Sequence, residues 1–160
     1  MGEFAKAVQN YICELLAEQY PEGNWQTEFN IGGTSVDIGG SNEDYQYIIE
    51  LEWKRADPAN NTAKIFRHLQ DEQLEAECIV FFQIFTDYYG LSHGGISSKR
   101  KNAEFVGKIA AQTFEKLSYS IVAFDMDPPK RGESWPDTWK ESANETANIL
   151  CNEIELKNSF

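Results

Sequence analysis

The sequence predicts an α/β (α+β) protein in which a mixed central sheet is flanked by helices. A length of 160 residues suits one domain with a single hydrophobic core. Hydrophobic residues make up 41% of the chain, which favours folding over disorder. Amphipathic segments at helical spacing also alternate with short apolar runs that are typical of strands. We therefore expect one domain that spans residues 1–160.

The first part of the chain predicts a helix and then a meander of three strands. Apolar residues recur at helical spacing over 3–19, and the following Pro-Glu-Gly segment ends that helix. Residues 25–31 and 34–40 predict two short strands joined by a Gly-Gly turn, and they pair most simply as a hairpin. After a polar turn, residues 45–55 predict a longer third strand.

The second part of the chain predicts β-α-β crossovers. Residues 62–76 have helical spacing, and the nearly continuous apolar run at 78–85 is typical of a strand buried on both faces. Residues 103–117 and 119–126 predict a further helix and strand, and residues 134–156 predict a final helix with a serine cap. The order α-β-β-β-α-β-α-β-α predicts a mixed sheet between helix layers.

Composition narrows the classes of function. The net charge of −12 excludes a protein that coats nucleic acid by bulk attraction, because such binding requires lysine and arginine to neutralise phosphates. It leaves open a local basic site, or a site in which a cation bridges carboxylates and phosphate. No apolar run approaches the ~20 residues of a membrane span, and the start carries no secretory pattern, so we expect a cytoplasmic protein without a membrane partner. Cys13, Cys78 and Cys151 are predicted to be free thiols because they are odd in number and widely spaced.

The segment IIELEWKR, residues 48–55, combines a strand pattern with a row of charges. Alternate side chains of a strand share a face. One face is therefore apolar and carries Ile49, Leu51 and Trp53. The other face is ionisable and carries Glu50, Glu52 and Lys54. Such a row either meets water at the edge of the sheet or forms a site, because burial of an unpaired charge is costly.

The preceding strand adds a carboxylate to the charged face. Strand pairing is expected to bring Asp37 near Glu52, and two carboxylates about 4–5 Å apart repel each other. A divalent cation relieves that repulsion, and oxygen ligands suit Mg²⁺ or Mn²⁺. Lys54 could then hold a water or stabilise charge that develops on a phosphate.

Asp37 followed by Glu52-Trp53-Lys54 resembles the signature of the PD-(D/E)XK nuclease superfamily, which includes restriction endonucleases. The resemblance covers residues 3–85 and implies a restriction-endonuclease-like α-β-β-β-α-β core, to which the rest adds a C-terminal α-β-α extension. It departs from the signature at Val36, where the pattern has proline. The implied activity is hydrolysis of DNA phosphodiester bonds by an endonuclease or exonuclease that requires Mg²⁺ or Mn²⁺. The resemblance implies Asp37 and Glu52 as metal ligands and Lys54 as the catalytic lysine, and it allows a homodimer by analogy with enzymes that cut palindromic sites.

Two features of the site have alternatives. Glu50 has the same parity as Glu52, so Glu50 could support the metal while Lys64, on the following helix, takes the place of Lys54. The resemblance also implies a glutamate on the first helix that completes the metal shell. Glu3 has the expected setting, with Glu14 and Glu18 as the other candidates.

Two basic segments are candidates for contact with DNA. Three residues of the second helix fall close together at helical spacing and could face phosphates: Lys64, Arg67 and His68. Three successive basic residues near the start of the third helix could form a DNA-contacting arm: Lys99, Arg100 and Lys101. The alternative for both sets is a solvated helix face.

Two other classes of function fit the same sequence. One is a catalytically inactive protein of the same fold that binds nucleic acid or a protein partner, which the acidic net charge favours. The other is an unrelated α/β protein, in which Asp37 would lie far from Glu52.

Overall fold

The computed structural model describes residues 2–160, in which four α-helices and five strands form one sheet with helices on both faces. These elements, in chain order, are α1 (Glu3–Gln19), β1 (Gln26–Ile31), β2 (Thr34–Ser41), β3 (Tyr45–Glu52), α2 (Ala59–Gln70), β4 (Cys78–Thr86), α3 (Ser98–Thr113), β5 (Leu117–Phe124) and α4 (Trp139–Asn158). The predicted order of elements is confirmed. Among these residues, no helix has both the length and the apolar character needed to cross a membrane.

The strands lie in the sheet in the order in which they occur in the chain, β1-β2-β3-β4-β5. Short turns join β1, β2 and β3 as antiparallel neighbours. β3, β4 and β5 are parallel, so α2 and α3 serve as the crossovers that parallel strands require. The prediction of a mixed sheet flanked by helices is confirmed, and β3 is its central strand.

The two faces of the sheet pack against different helices. On one face, Ile49 and Leu51 of β3 pack with residues of α1 and α4, including Val8 and Leu150. On the other face, Ile48 packs with residues of α2, α3 and β4. The alternation predicted for β3 therefore holds, and its acidic residues at positions 50 and 52 point toward the α2–α3 layer.

Several element boundaries differ from the prediction. β3 ends at Glu52 because the next residues turn away, held by the Tyr89 hydroxyl, which accepts from the backbone N–H of Arg55 at 2.7 Å. α3 begins at residue 98, where the Ser97 hydroxyl accepts from a first-turn N–H, so the basic segment 99–101 lies inside a helix. The last helix begins at Trp139, later than predicted.

Candidate active site

The β2–β3 register places Asp37 beside Glu50. Ile38 lies opposite Ile49, and one further step along the strands pairs Asp37 with Glu50. The Asp37 side chain turns back onto β3, where its Oδ2 accepts a hydrogen bond of 2.7 Å from the backbone N–H of Leu51. The predicted approach of a β2 carboxylate to β3 is thus present, but its nearest acidic neighbour is Glu50 and not Glu52.

The two carboxylates are almost fully removed from solvent. Glu50 is 1% exposed and Asp37 is 6% exposed. Burial, and next the neighbouring charge of Asp37, raise the pKa of Glu50 well above its usual value. Burial also raises the pKa of Asp37, although the Leu51 N–H opposes that rise. Holding both groups ionised therefore has a free-energy cost, which a cation between them would reduce.

Lys64 supplies a positive charge at this position. Its Nζ lies 2.5 Å from Glu50 Oε1 and also donates to the backbone carbonyl of Ser35 at 3.2 Å. The lysine side chain is 14% exposed, so the ion pair is largely shielded from water. Because Lys64 belongs to α2, this contact joins the helix to both β2 and β3.

Glu52 lies in a separate polar pocket under α2. Its Oε1 accepts hydrogen bonds of 2.7 Å from Asn61 Nδ2 and from Gln83 Nε2. Gln83 in turn accepts from the hydroxyls of Thr62 and Tyr119. Burial raises the pKa of Glu52, while its two amide donors lower it. Over residues 2–160, Glu52 Oε2 is buried and has no hydrogen-bond partner.

Lys54 does not join Asp37 and Glu50. It lies beyond the end of β3, where its exposed side chain donates to the carbonyl of Pro129 at 3.4 Å. It lines a different cleft from the one that contains Asp37. The strand ends too early for Lys54 to continue the charged row, so the structure brings together the alternative set: Asp37, Glu50 and Lys64.

Glu28 on β1 is a member of the site that the sequence pattern did not identify. Its backbone has φ of +51°, a left-handed conformation that is uncommon outside glycine. Gln9 Nε2 donates to Glu28 Oε1 at 3.2 Å and to the backbone carbonyl of Asp37 at 2.8 Å. The hydrogen bonds from Gln9, and next from Ser35, lower the pKa of Glu28. A polar residue at a core position of an amphipathic helix, as Gln9 is, was the available sequence signal.

Glu28, Asp37 and Glu50 line a cleft of about 440 Å³, whereas Lys64 and Glu52 do not. Its lining combines acidic and basic side chains with a serine: Lys6, Glu28, Ser35, Asp37, Glu50 and Arg55. The Arg55 guanidinium donates to Asn61 Oδ1 at 2.9 Å, which links the cleft to the Glu52 pocket. The cleft therefore offers carboxylate oxygens to a cation and cationic side chains to an anion.

Several predicted contacts lie elsewhere. Glu3 is exposed and lines the Lys54 cleft, so it does not complete a ligand shell around Asp37. His68 is 3% exposed and its Nδ1 contacts Gln73, so it cannot share a phosphate-facing surface with the exposed Arg67.

The predicted DNA-contacting arm also differs. Arg100 forms an ion pair of 2.7 Å with Glu104 and lies over the Phe85 ring, so its charge is already partnered. Lys99 donates to the Tyr88 hydroxyl at 3.3 Å, and Lys101 is exposed on the helix. These three residues form a helix surface and not an extended arm.

The site offers few protein ligands to a divalent metal. Among residues 2–160, no group of three or more histidine, cysteine, aspartate or glutamate side chains is placed to hold an ion. Mg²⁺ is usually bound by one or two carboxylates, with waters and substrate phosphates as its other ligands. Asp37 and Glu50 fit that smaller set, because they are adjacent and burial raises the pKa of both carboxyls in spite of the nearby Lys64 ammonium.

Comparison with known proteins does not identify a family. No family model, curated protein or solved structure matches the chain. The resemblance to PD-(D/E)XK nucleases therefore rests on Asp37, the carboxylates of β3 and the order of the elements.

Proposed function

We propose that this protein is a Mg²⁺- or Mn²⁺-dependent nuclease that hydrolyses phosphodiester bonds of DNA on a restriction-endonuclease-like core. The observation that carries the proposal is the buried Asp37–Glu50 pair with the Lys64 ammonium in contact with Glu50. The element order α-β-β-β-α-β over residues 3–86 supports the proposed core. The site also lies at the carboxyl end of the central strand, where open α/β sheets commonly bind ligands.

The proposed roles follow from the positions of the side chains. Asp37 and Glu50 would hold the metal. When bound, such a metal offsets the negative charge of the phosphate and activates a water. Lys64 is placed to orient a water near Glu50 and to stabilise negative charge that develops on the phosphate. Lys6 and Arg55 line the cleft and would attract the DNA backbone. Glu52, held by neutral amide donors, would fix the end of β3 and not bind the metal directly.

The test is cleavage of DNA by the purified protein. Supercoiled plasmid, linear duplex, branched and single-stranded DNA should each be incubated with Mg²⁺, with Mn²⁺ and with EDTA. We expect metal-dependent cleavage of at least one substrate. Asp37→Ala, Glu50→Ala and Lys64→Ala should each reduce the rate about 10²-fold or more. Intact DNA in every reaction would refute the nuclease proposal.

Control variants show whether a loss of cleavage is specific to substitutions in the proposed site. Lys108→Ala removes an exposed lysine of α3 and should leave cleavage unchanged. Lys64→Ala should also lose more activity than Lys54→Ala, because only Lys64 contacts Glu50. Equal losses of activity would show that Lys64 is not the catalytic lysine, even if the protein is a nuclease.

One observation favours a second candidate, a nuclease-fold module that binds nucleic acid without cutting it. The Lys64 ammonium already neutralises Glu50, as it would in a site that no longer binds metal. Thermal unfolding in Mg²⁺ or Mn²⁺ distinguishes the candidates. A metal-binding site predicts a rise in melting temperature that follows metal concentration, whereas the inactive module predicts none.

A further inference from the structure

A second cleft, of about 680 Å³, lies next to the candidate active site. Its volume falls within the range of small-molecule sites. It is formed by the start of α1, the segment after β3 and the loop that precedes α4. Neither the proposed metal ligands nor Lys64 line it. The cleft is therefore a candidate for a binding role that is distinct from phosphodiester hydrolysis.

The walls of this cleft are aromatic. Phe4, Trp53 and Trp135 line it. The Phe4 and Trp135 rings are stacked at 4.4 Å with an interplanar angle of 10°, and Trp53 meets Phe4 edge-on at 5.2 Å. Trp135 remains 41% exposed, although burial of a tryptophan is strongly favourable. An indole held flat against a neighbour, with much of its surface exposed, is a platform for another planar ring.

The rim of the cleft is cationic. Four of the fourteen lysines and arginines line it, although the chain has a net charge of −12: Lys54, Arg55, Lys130 and Arg131. Only two acidic residues, Glu3 and Glu133, share the lining. The Glu133 carboxylate accepts from the backbone N–H of Lys130 at 2.8 Å, so it is used to shape the loop. The rim thus concentrates positive charge around the aromatic wall.

Arg55 joins this cleft to the active-site cleft, because the residue lines both. Leu51 makes the same connection through the backbone: its N–H binds Asp37, and the residue also lines the aromatic cleft. A nucleic-acid strand that passes Arg55 could therefore place a phosphate at a metal held by Asp37 and Glu50 and direct another part of the strand toward Trp135.

We propose that the aromatic cleft binds an unstacked base of single-stranded nucleic acid. Aromatic faces bind the bases of single strands by stacking, and nearby cations hold the backbone phosphates. A paired base inside a duplex cannot present its face in this way without being flipped out. The assignment deepens the proposed function, because it names single-stranded segments as the substrate class. It rests on that function only for the position of the reacting phosphate.

Binding is tested without cleavage. Fluorescein-labelled single-stranded oligodeoxythymidylate is titrated with protein in EDTA, and fluorescence anisotropy gives the affinity. We expect Trp135→Ala to weaken binding about tenfold or more, as alanine substitution of a stacking residue does. Arg131→Gln should weaken binding and reduce its salt dependence. The single strand should also quench tryptophan fluorescence, because Trp53 and Trp135 line the cleft.

Matched controls come from α3. Phe105→Ala removes an aromatic side chain that is 65% exposed, and Lys108→Gln removes a lysine whose side chain is 63% exposed. Neither should change the affinity. Because Trp135→Ala removes the ring stacked on Phe4 and could alter folding, its melting temperature is measured as well. Arg131 is exposed, so Arg131→Gln tests the cleft without disturbing the core.

Three results overturn the assignment. They are wild-type affinity in Trp135→Ala, equal affinity for duplex and single strand, and failure of the wild-type protein to bind the single strand. The nuclease proposal fails separately. If single strands bind in a Trp135-dependent manner in EDTA but no DNA is cut with Mg²⁺ or Mn²⁺, the cleft assignment stands and the nuclease proposal does not. If DNA is cut and Trp135→Ala binds the single strand normally, the nuclease proposal stands and the cleft assignment fails.

Discussion

Asp37→Asn is expected to make the metal-free protein more stable while removing its metal response. The asparagine Oδ1 can accept the Leu51 N–H in place of the carboxylate, so the local backbone contact is kept. Its amide can donate to Glu50, which replaces a repulsion by a hydrogen bond. The substitution therefore isolates the free-energy cost of placing two carboxylates side by side.

The size of the stabilisation expected from Asp37→Asn follows from the β2–β3 register. Side chains opposite each other on antiparallel strands lie about 5 Å apart, and two charges at that separation repel by about 3 kcal/mol at an effective dielectric of about 20. Lys64 on Glu50 offsets part of this repulsion, which leaves about 1–2 kcal/mol. For a domain of this size, each kcal/mol moves the melting temperature by about 2–4 °C, so we expect a rise of about 2–8 °C.

The stability gained by Asp37→Asn should increase as the pH rises. Burial raises the folded-state pKa of both Asp37 and Glu50. A raised carboxyl pKa costs nothing below the unfolded value near 4, and the cost appears as pH rises through the folded pKa values. The stability advantage of Asp37→Asn should therefore be small at pH 5 and larger at pH 8.

The assay is thermal unfolding at pH 5 and pH 8, with and without Mg²⁺. Asp57→Asn is the control, because it removes one negative charge from an exposed position. At pH 8, Mg²⁺ should raise the melting temperature of the wild-type protein and not that of Asp37→Asn. If Asp37→Asn is less stable than wild type at pH 8, or if its advantage is the same at both pH values, repulsion between Asp37 and Glu50 does not destabilise the folded protein.

Three further predictions concern packing around the site. Gln83→Leu removes one donor to buried Glu52 and should lower the free energy of unfolding by about 1–3 kcal/mol in urea denaturation. Lys64→Met leaves its carboxylate partner buried without a cation and should cost about 3–5 kcal/mol at pH 8, less at pH 5, where that carboxylate protonates more readily. Gly107→Ala should cost about 1–3 kcal/mol although alanine favours helices, because the new Cβ would lie 2.4 Å from the Tyr119 ring; a more stable variant would show that α3 can shift away from β5.

The sequence predicted the structure correctly where the periodicity of a strand or helix determines which face a side chain occupies. The alternation in IIELEWKR correctly separated Leu51 from Glu50 and Glu52, because successive side chains of a strand must point to opposite faces. It could not decide which glutamate meets Asp37. That choice depends on the β2–β3 register, and a shift of the register changes every pairing without changing the pattern.

The remaining differences arise from tertiary contacts. Lys54 was placed on β3 because the pattern continues past Glu52, but contacts from β4 and Tyr89 turn the chain away. Glu28 was not identified because a left-handed φ on a non-glycine residue has no local signature. His68 fits a polar helix face by spacing, yet it is buried and its Nδ1 contacts Gln73 from beyond the end of α2.

The crossover topology has a consequence for the order of folding events. Asp37 and Glu50 come together when the β2–β3 hairpin forms, which involves contacts that are close in sequence. Lys64 reaches Glu50 only when α2 has docked against the sheet beside the parallel β3–β4 pair. The β3–β4 pairing joins Glu50 with Gln83, which lie farther apart in the chain than Asp37 and Glu50, and contacts that close longer loops form more slowly. The acidic pair is therefore expected to exist transiently without its lysine during refolding, and Mg²⁺ added at that stage should slow the docking of α2, because the ion competes with the Lys64 ammonium for Glu50. Refolding rates that are independent of Mg²⁺ would contradict this sequence of events.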